Sequence, residues 1–571
     1  MEHSWKRYLD PYRGKLFEGE WPTLSQIFQM TLDKFPDRIC FTKFTPNRFS
    51  LTYKEVYEYL INISSYLREN GLEKGDKVAI NGKNSIEWAI AYMSINFAGG
   101  VVVPLDNQLT NKKVKDLSQY SDCKFFLADK NILESLDKTF PEYLKSFKLC
   151  LTLQGKSEQY QSMLSVKPKT VLEIVKGNED DVAAILFTSG TTGNEKGAVL
   201  TQKNIVSDLY QAKDDQFLQL DENDILYALL PLHHSYCCTA VLLVSIAFGC
   251  ECVFGHGIIV SRMVNDLTRG KVTVFMGIPL LYNKLLAGMM KGVKKKGFMT
   301  NALIHFLMFV NGFCKKYFNK NPLRNFFNKK LLSKVGFAHN RILICGAGPL
   351  SPKVFKQYQQ LGLDFIQGYG LTETSPILAL NPTSKFKIES VGKIFPLVDA
   401  KIDNPDSSGV GEILVKGPNI CQGYYKDEEN TKKLFNEEGW LKTGDLGYLD
   451  SDNYLYLKGR AKNIIVTEGG KNVYPEEIED LFQLHTQVDQ VLVRGYQEKK
   501  DVPAECIEAV IYPDQEYFEK KVEKIEEEIN EVVNLVNKEL SGYKKIGKIT
   551  IVDKPMIMTS TKKIKRNLID K

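Results

Sequence analysis

The sequence predicts an α/β protein of two or more domains, with largely parallel sheets in the first half of the chain. At 571 residues the chain is longer than one hydrophobic core usually organises. Hydrophobic residues make up 43% and charged residues 25%, values typical of globular proteins that argue against disordered and fibrous classes. Helical and strand-like patterns alternate along the first half, as they do in units that build parallel sheets.

The alternation is clearest between residues 51 and 104. Residues 51–70 carry apolar side chains at spacings of three and four and are followed by Gly71, which predicts a helix with a glycine stop. Residues 77–80 predict a short buried strand, and residues 85–97 predict a second helix. A further strand begins within the run GGVVVP at 99–104.

Bulk charge and cysteine usage exclude several classes of protein. The net charge of +6 is too small to imply a nucleic-acid partner. The eleven cysteines never form a CxxC pair and have no histidine-rich segment at zinc-site spacing, so we expect reduced thiols and a cytoplasmic protein. The first residues lack the apolar region of a secretory signal, and no apolar run reaches the roughly 18 residues of a spanning helix.

Residues 291–340 differ from the rest of the chain. This window holds eleven Lys and Arg residues and no Asp or Glu, so the remainder carries a net charge of −5. Within it, residues 298–313 (FMTNALIHFLMFVNGF) are apolar and have basic flanks. Two interpretations stay open: a peripheral helical insertion that packs its apolar side on the domain, or an interfacial segment that contacts anionic lipid at the inner face of a membrane.

A domain boundary is predicted near Lys462. Dense β-type sequence (VGEILVKGP, GYLD, NYLYLKG) precedes it, and a separate α+β pattern follows, ending in an acidic–basic helix over 516–540. The predicted domains are therefore 1–461 and 462–571, the second of a size usual for a small domain.

The stretch ILFTSGTTGNEKGAVL at 185–200 has the composition of a phosphate loop. A strand over 182–187 runs into hydroxyls and glycines, and Lys196 follows. Glycines let backbone N–H groups approach phosphate oxygens, and the lysine adds a positive charge. The spacing is not GxxxxGK[ST], which argues against a P-loop kinase or ATPase. Composition alone leaves an ordinary Gly/Ser turn equally open.

The run TSGTTGNEKG resembles the signature loop of the adenylate-forming superfamily, which includes acyl- and aryl-CoA synthetases, peptide-synthetase adenylation domains and firefly luciferase. Six further motifs resemble those of the family and follow in its order, from about residue 23 to residue 567. They are PLHHSY (231–236), GAGPL (346–350), GYGLTET (368–374), TGD (443–445), GRAK (459–462) and TKKIKR (561–566). The resemblance implies a large N-terminal domain of two α/β-layered sheets with a small β-barrel, followed by a mobile α+β cap.

The resemblance also implies the roles of individual residues. ATP and Mg²⁺ are the implied cofactors, with Glu373 as the Mg²⁺ ligand because this hard cation takes carboxylate oxygen. The implied ATP/AMP-binding residues are Thr188, Ser189, Gly190, Thr191, Thr192, Gly193, Lys196, Gly346, Ala347, Gly348, Gly368, Tyr369, Gly370, Asp445, Leu457 and Arg460. Within this set Tyr369 would stack on adenine, and Asp445 would accept both ribose hydroxyls.

The implied catalytic residues are Thr372, Glu373, His234 and Lys563. Lys563 would bridge the acid oxygen and the α-phosphate, although a solvated basic tail is the alternative for a run of this kind. Thr372 would donate a hydrogen bond to the α-phosphate. His234 would line the path of the acyl group and pantetheine, with a hydrogen-bonded core histidine as its alternative. Lys462 would be the hinge.

Three positions depart from the family pattern. Glu195 replaces the usual Pro of the phosphate loop, Asn463 replaces an acidic residue after the hinge, and Lys562 replaces the usual Gly before the catalytic lysine. None of them removes a reacting group, so the implied chemistry is retained.

Two features favour a long-chain fatty acid as the substrate. The insertion at 291–340 and the segment 464–479 (IIVTEGGKNVYPEEIE) both resemble the long-chain acyl-CoA synthetases. Coenzyme A is the expected acceptor, and acyl carrier protein, which uses the same pantetheine arm, stays open. A fatty acyl-AMP ligase and a luciferase-like oxygenase are the alternatives. A non-catalytic lipid-binding relative is disfavoured because Lys196, Glu373, Asp445, Arg460 and Lys563 are all present.

Overall fold

The computed structural model describes residues 3–188, 195–255, 257, 259–318, 320–497, 506–519, 521–559 and 563–568. Its strands, in chain order, are β1 (Ile39–Lys43), β2 (Phe49–Thr52), β3 (Lys77–Asn81), β4 (Val101–Leu105), β5 (Cys123–Ala128), β6 (Leu149–Thr152), β7 (Val182–Thr188), β8 (Lys196–Thr201), β9 (Ile225–Ala228), β10 (Glu251–Phe254), β11 (Val274–Gly277), β12 (Ile342–Cys345), β13 (Asp364–Gly370), β14 (Ile377–Leu380), β15 (Gly392–Ile394), β16 (Asp399–Asp403), β17 (Gly411–Lys416), β18 (Leu441–Leu449), β19 (Tyr454–Arg460), β20 (Ile465–Val466), β21 (Asn472–Val473), β22 (Val488–Tyr496), β23 (Cys506–Pro513) and β24 (Lys548–Ile551).

The α-helices lie between and around these strands. In chain order they are α1 (Lys6–Leu9), α2 (Leu24–Lys34), α3 (Tyr53–Glu69), α4 (Ile86–Phe97), α5 (Asn111–Tyr120), α6 (Lys130–Thr139), α7 (Gln202–Ala212), α8 (Ser235–Cys237), α9 (Val244–Phe248), α10 (Val260–Gly270), α11 (Pro279–Lys294), α12 (Phe298–Phe318), α13 (Arg324–Lys330), α14 (Pro352–Gln360), α15 (Glu428–Leu434), α16 (Pro475–Phe482), α17 (Gln515–Phe518) and α18 (Ile525–Glu539). A π-helical turn, Cys238–Leu243, joins α8 to α9.

Two large sheets form the body of the protein. The six-stranded sheet has the order β6-β5-β3-β4-β7-β8, in which only β8 runs antiparallel to its neighbour. The thirteen-stranded sheet has a parallel part, β13-β12-β11-β9-β10-β1, which β14 to β19 continue in antiparallel fashion. Helix α4 is buried along its whole length and contacts strands of both sheets. The predicted α/β fold class is therefore confirmed.

The strands from residue 465 onward form separate small sheets. They are the pair β20-β21 and the three-stranded sheet β22-β23-β24, covered by α16 and α18. Their apolar core is a cluster of its own, apart from the core of the body. We refer to residues 462–571 as the C-terminal segment; the boundary itself stays a prediction.

The elements predicted between residues 51 and 104 are present with small shifts at their ends. Helix α3 begins at Tyr53 because Thr52 belongs to β2 and caps the helix in a reciprocal pair with Glu55. Ser85 caps α4 by accepting a hydrogen bond from the backbone N–H of Trp88, so this helix begins one residue later than predicted.

The prediction of one helix over 516–540 is wrong. The segment forms the short α17 and the longer α18, and Lys521 between them has non-helical backbone angles. The break places Glu526, Glu527 and Glu528 in the first turn of α18. Negative charge is favoured there because the helix dipole exposes its positive end.

One buried ion pair joins the starts of three neighbouring parallel strands. Asp224 precedes β9, Thr273 precedes β11 and Arg341 precedes β12. Arg341 Nε donates to Asp224 Oδ1 at 2.8 Å, and the Thr273 hydroxyl donates to the same oxygen at 2.7 Å. Burial alone would raise the pKa of Asp224, but the hydrogen bonds from Arg341 and Thr273 outweigh it and lower the pKa.

We expect Asp224→Asn to lower the free energy of unfolding of the body by about 2 kcal/mol. This is less than the loss for a fully buried pair because Arg341 keeps partial solvent access. Urea unfolding followed by tryptophan fluorescence measures the change. Asp215→Asn is the matched control, because its partner Arg7 and Asp215 itself are both more than half exposed and such pairs contribute about 0–1 kcal/mol. Equal effects of the two substitutions would contradict the assignment.

Candidate active site

A cleft of about 1770 Å³ lies where the C-terminal segment meets the body. Its walls come from loops that follow strands of both large sheets and from the C-terminal segment, including Asp489 and Lys563. The cleft is lined by every predicted site residue that the structure describes, namely Thr188, Lys196, His234, Gly346, Ala347, Gly348, Gly368, Tyr369, Gly370, Thr372, Glu373, Asp445, Leu457, Arg460, Lys462 and Lys563. Motifs far apart in the sequence therefore meet at one site.

The predicted phosphate loop connects two antiparallel strands. Thr188 ends β7 and is paired in register with Lys196, which begins β8. The Lys196 ammonium donates to Asn430 Oδ1 at 2.7 Å and lies 5.1 Å from the centre of the Tyr424 ring. The other predicted loop residues, Ser189, Gly190, Thr191, Thr192 and Gly193, lie outside the described residues.

Glu373 contacts Tyr424, whose ring also lies beside the Lys196 ammonium. Glu373 belongs to a short helical turn, Thr372–Thr374, and its Oε1 accepts a hydrogen bond from the Tyr424 hydroxyl at 2.7 Å. Burial and the negative charge of Glu373 raise the pKa of Tyr424, so the phenol stays protonated and donates. The Tyr424 hydroxyl thus fixes one carboxylate oxygen of Glu373 at the cleft wall.

The turn that carries Glu373 depends on Gly370. A Cβ at Gly370 would lie 1.6 Å from the carbonyl oxygen of Pro376, so no other residue fits this backbone without movement. The Thr374 hydroxyl accepts from Leu371 N at 2.9 Å and donates to the same Pro376 oxygen at 2.8 Å. The GYGLTET motif therefore encodes a rigid turn that presents Thr372 and Glu373.

A charge cluster occupies another wall of the cleft. Asp445 and Arg460 are direct cross-strand neighbours in β18 and β19, and Arg460 Nε is 2.7 Å from Asp445 Oδ1. The Tyr369 hydroxyl donates to Asp445 Oδ2 at 2.6 Å. Burial and the charge of Asp445 raise the pKa of Tyr369. Each carboxylate oxygen of Asp445 keeps a second acceptor position, as two ribose hydroxyls would require.

The GAGPL motif follows β12 directly. Ala347 has a φ of 64°, a left-handed conformation that is uncommon for a residue with a side chain. Gly346 lies against the Tyr236 ring, where an added Cβ would be 3.0 Å from the nearest ring carbon. The turn thus brings backbone close to an aromatic side chain in the cleft.

Lys563 reaches the cleft on a narrow turn of the C-terminal segment. Its backbone N–H donates to the Thr559 hydroxyl at 3.1 Å, and Thr559 N donates to Lys563 O at 2.8 Å. Residue Lys563 as a whole is exposed, but desolvation around its ammonium and the positive charge of Arg460 lower the pKa, with Asp445 opposing. The lysine therefore lies among the charged residues of the cleft, unlike a solvated tail.

Arg566 anchors this turn, a role that the sequence did not suggest. Its guanidinium binds both carboxylate oxygens of Glu479 at 2.6 and 2.7 Å and donates to Val493 O at 2.8 Å. Burial raises the pKa of Glu479 to about 7, against the opposing charge of Arg566. The bidentate pair fixes the turn that carries Lys563 to the C-terminal segment.

His234 lines the cleft next to a second histidine. The rings of His233 and His234 have centroids 4.3 Å apart, and His233 Nε2 is 3.4 Å from Asp106 Oδ2. Burial lowers the pKa of His234 to about 3, with the charges of His233 and Lys563 acting in the same direction. His234 is therefore neutral near pH 7.

The C-terminal segment contacts the body through charged pairs, hydrogen bonds and a small apolar cluster in which Tyr474 packs with Val410 and Leu446. Lys284 pairs with Asp489 at 3.0 Å, and Lys458 pairs with Glu477 at 2.8 Å. Gln483 accepts from Ser351 N at 2.9 Å. The interface therefore combines charged pairs with limited apolar packing.

Sequence reasoning missed Asn430 and Tyr424, the partners of Lys196 and Glu373. Asn430 lies in the first turn of α15, where its backbone N–H donates to the capping residue Asp427 at 3.1 Å. The run from 427 to 434 (DEENTKKL) has the capping and charge pattern of a helix start, which predicts the helix but not its partner.

Comparison with known proteins gives matches over nearly the whole chain. Residues 28–425 match the family model described as AMP-binding enzyme, and residues 462–571 match the model described as AMP-binding enzyme C-terminal domain.

Individual relatives are distant in sequence. A long-chain-fatty-acid–[acyl-carrier-protein] ligase, AEE15 of Arabidopsis thaliana chloroplasts, is 25% identical over 97% of this chain and 86% of its own length. The long-chain-fatty-acid–CoA ligase ACSBG1 of Homo sapiens is 27% identical over 82% of this chain and 68% of its own length. The crystal structure of ATP-bound MatB from Rhodopseudomonas palustris aligns with 96% of this chain and 98% of that chain at 24% identity, with a TM-score of 0.75, which shows a shared fold.

Proposed function

This chain belongs to the family of AMP-binding enzymes, and we propose that it is an AMP-forming ligase that joins a long-chain fatty acid to the thiol of coenzyme A. The relatives named above carry out ligation of long-chain fatty acids to coenzyme A or to acyl carrier protein, as their names state. The enzyme would first form an acyl-adenylate with release of pyrophosphate and then transfer the acyl group to the thiol.

The observation that carries this proposal is that charged and apolar residues line the same cleft. Besides the charged residues described above, the cleft has a nearly buried apolar lining from the α8–α9 segment and from strands β11, β12 and β14. Tyr236, Ala240 and Val244 lie four residues apart along that helical segment, so they share one face. A hydrocarbon chain bound there would lie within reach of the polar residues that suit a nucleotide.

The charged residues fit the first step of such a reaction. A carboxylate oxygen attacks the α-phosphorus of ATP, the bond from that phosphorus to the bridging oxygen breaks, and pyrophosphate leaves. Lys196 and Arg460 would stabilise the phosphates, and Lys563 would hold the attacking carboxylate against the α-phosphate. Asp445 would bind the ribose hydroxyls and Thr372 the α-phosphate.

The donor set also fits Mg²⁺. The Glu373 carboxylate faces the same part of the cleft as Tyr424, close to Lys196, and Mg²⁺ in nucleotide sites commonly takes one or two carboxylates plus phosphate oxygens and water. Bound there, the ion would neutralise charge on the phosphates. Glu373 would position it, with the Tyr424 hydroxyl holding the carboxylate.

The test of the proposal is pyrophosphate release by the purified chain with ATP, Mg²⁺ and saturated acids of 2 to about 18 carbons. We expect release to rise with chain length, because each buried CH₂ contributes about 0.8 kcal/mol. Thioester formation with coenzyme A and with pantetheinylated acyl carrier protein then identifies the acceptor. Lack of pyrophosphate release with every acid would exclude an adenylating ligase.

Ala240→Phe tests whether the apolar lining receives the acyl chain. Ala240 is 2% exposed and lines the cleft, so a benzyl group there should block the chain. We expect kcat/KM for a 16-carbon acid to fall about tenfold to a hundredfold, equivalent to an overpacking cost of about 1–3 kcal/mol. An 8-carbon acid should be affected far less. Ala240→Ser, which adds one atom, is the matched control; parallel losses for both acids would place the acyl chain elsewhere.

Lys563→Ala tests the adenylation lysine. We expect pyrophosphate release to fall by about 10²–10³ or more, because one positioned cation is lost from the transition state. Thioester formation from synthetic acyl-adenylate should be retained. Stopped-flow or quench assays of the two half-reactions separate these steps.

Lys554→Ala is the control for that experiment, because Lys554 is an exposed lysine of the same C-terminal segment that does not line the cleft. Equal losses in both half-reactions of Lys563→Ala would reject a role specific to adenylation.

The second step requires room for the thiol in the cleft that Lys563 also lines. Thiol sulfur attacks the carbonyl carbon, the bond to the AMP oxygen breaks, and the thiol proton is lost. Lys462 lies in a short turn, Ala461–Asn463, between β19 and the C-terminal segment, and its side chain is exposed. Rotation about this residue would withdraw Lys563 and open the cleft.

Lys462→Pro tests the hinge. Proline fixes φ, so we expect the variant to keep adenylation within about twofold and to lose thioester formation by tenfold or more. Single-turnover formation of acyl-adenylate and of acyl-CoA measures each step. Lys462→Ala, which keeps backbone freedom, should be close to wild type. Normal thioester output from the proline variant would rule out rotation at this residue.

Helix α12 supports a peripheral contact with anionic membrane. One face packs on the body, where Asn311 donates to Gln360 O at 3.0 Å and Lys315 pairs with Asp364 at 2.8 Å. The opposite face is exposed and apolar. It consists of Phe298, Met299, Leu303, Phe306, Phe309, Phe313, Tyr317 and Phe318, which are 47–86% exposed.

Basic residues flank this aromatic face. Lys294, Lys295 and Lys296 precede it, and Lys316 and Lys320 lie at its other end, all exposed. Aromatic side chains between lysines suit the interface of an anionic bilayer, where the rings enter the headgroup boundary and the ammonium groups bind lipid phosphates. Among the described residues, no helix has the length and hydropathy needed to cross a membrane.

Phe306→Glu combined with Phe309→Glu tests the membrane contact. We expect sedimentation with vesicles of phosphatidylcholine and phosphatidylglycerol to fall at least about tenfold. The reason is that two rings that would enter the bilayer are replaced by negative charges, which the anionic surface repels. Vesicles of phosphatidylcholine alone should bind wild type weakly. Val171→Glu, at a residue of similar exposure, is the control. Unchanged sedimentation would reject the lipid contact. So would a wild-type protein that is dimeric in solution if the double variant is monomeric.

A further inference from the structure

We propose that Asp106, His233 and His234 form a binding site for a transition-metal dication such as Zn²⁺, separate from the proposed Mg²⁺ position at Glu373. One ligand atom from each residue lies within 4.8 Å of the other two. Two imidazoles and one carboxylate are a common ligand set of zinc enzymes, in which a fourth position stays open.

The distances within the cluster fit coordination. His233 Nε2 lies 3.4 Å from Asp106 Oδ2 and makes no hydrogen bond to any residue that the structure describes. Two ligand atoms at about 2.1 Å from a tetrahedral ion lie about 3.4 Å from each other. His233 is 7% exposed, so an unpaired nitrogen there costs free energy unless an ion or a proton satisfies it.

The fold brings these residues together from both large sheets. Asp106 directly follows β4 of the six-stranded sheet. His233 and His234 lie in the loop after β9 of the thirteen-stranded sheet, just before α8. The carboxyl ends of parallel strands meet there, which is a common place for ligand sites in α/β proteins.

Nearby charges affect the binding of a dication at this site in opposite directions. The Asp106 carboxylate would offset one positive charge of the ion. Lys563 and His234 line the same cleft, so the Lys563 ammonium would repel a dication bound at His234. Metal binding and entry of Lys563 are therefore expected to compete, and bound Zn²⁺ would slow adenylation. Only this inhibitory consequence rests on the proposed function.

The binding test uses the full chain, stripped of metal, without nucleotide or fatty acid. We expect calorimetry to give one tight site for Zn²⁺, and Co²⁺ to give visible absorption of a four- or five-coordinate N/O site without an intense thiolate band. Asp106→Asn and His233→Gln should each weaken binding tenfold or more. His305→Gln, at an exposed histidine of α12, should leave it unchanged.

Two results would contradict the proposed Zn²⁺ site. A thiolate band would assign the ion to one of the eleven cysteines instead. Binding that both variants retain at full strength would place the ion elsewhere, provided that thermal unfolding shows both variants folded. Inhibition is measured separately, as the Zn²⁺ concentration that halves pyrophosphate release; Asp106→Asn should raise it by the factor found in calorimetry. An inactive enzyme that still binds Zn²⁺ through these residues would refute the proposed function but not the metal site.

Discussion

The arrangement of charge around Asp445 is the constraint on which the rest of the site depends. One carboxylate, fixed by Tyr369 and paired with Arg460 across two strands, lies near the ammonium of Lys563. Two cations that lie close together in a partly desolvated cleft repel each other, and the lowered pKa of Lys563 reflects this repulsion and the desolvation. A polyanionic nucleotide would relieve it, because phosphates supply the negative charge that the protein itself provides only in part. Under the proposed function, bound phosphates would therefore be stabilised by this set of cations.

The loops of the body and the turn that carries Lys563 are anchored by different ion pairs. The parallel strands that precede the PLHH and GAGPL motifs are joined at their opposite ends by Asp224, Thr273 and Arg341, which holds those loops in register. The turn that carries Lys563, in contrast, is attached to the C-terminal segment through Arg566 and Glu479. That segment contacts the body through charged pairs and a small apolar cluster. Under the proposed rotation, this arrangement would keep these loops fixed while Lys563 moves with the C-terminal segment.

Helix α12 has one polar face that packs on the body and one apolar face that is exposed. Asn311 and Lys315 bind backbone oxygens and Asp364 of the body, so α12 is attached through polar groups on its buried side. Its aromatic residues consequently remain outside. An exposed apolar face of eight residues is unusual unless a membrane or another protein covers it. Helix α11, which leads into α12, lines the cleft, so the exposed face and the cleft are joined by one short stretch of chain.

The sequence by itself determined the α/β class, the periodic elements between residues 51 and 104, and the motifs that meet at the cleft, because each depends on residues close together in the chain. It failed where distant side chains decide the outcome. Asn430 beside Lys196 and Tyr424 beside Glu373 are pairs that only packing creates. The break at Lys521 was missed, and the two interpretations of α12 stayed open, because local periodicity does not report what surrounds each helix. Tertiary structure decided these features because hydrogen bonds and burial act through space, whereas propensity acts along the chain.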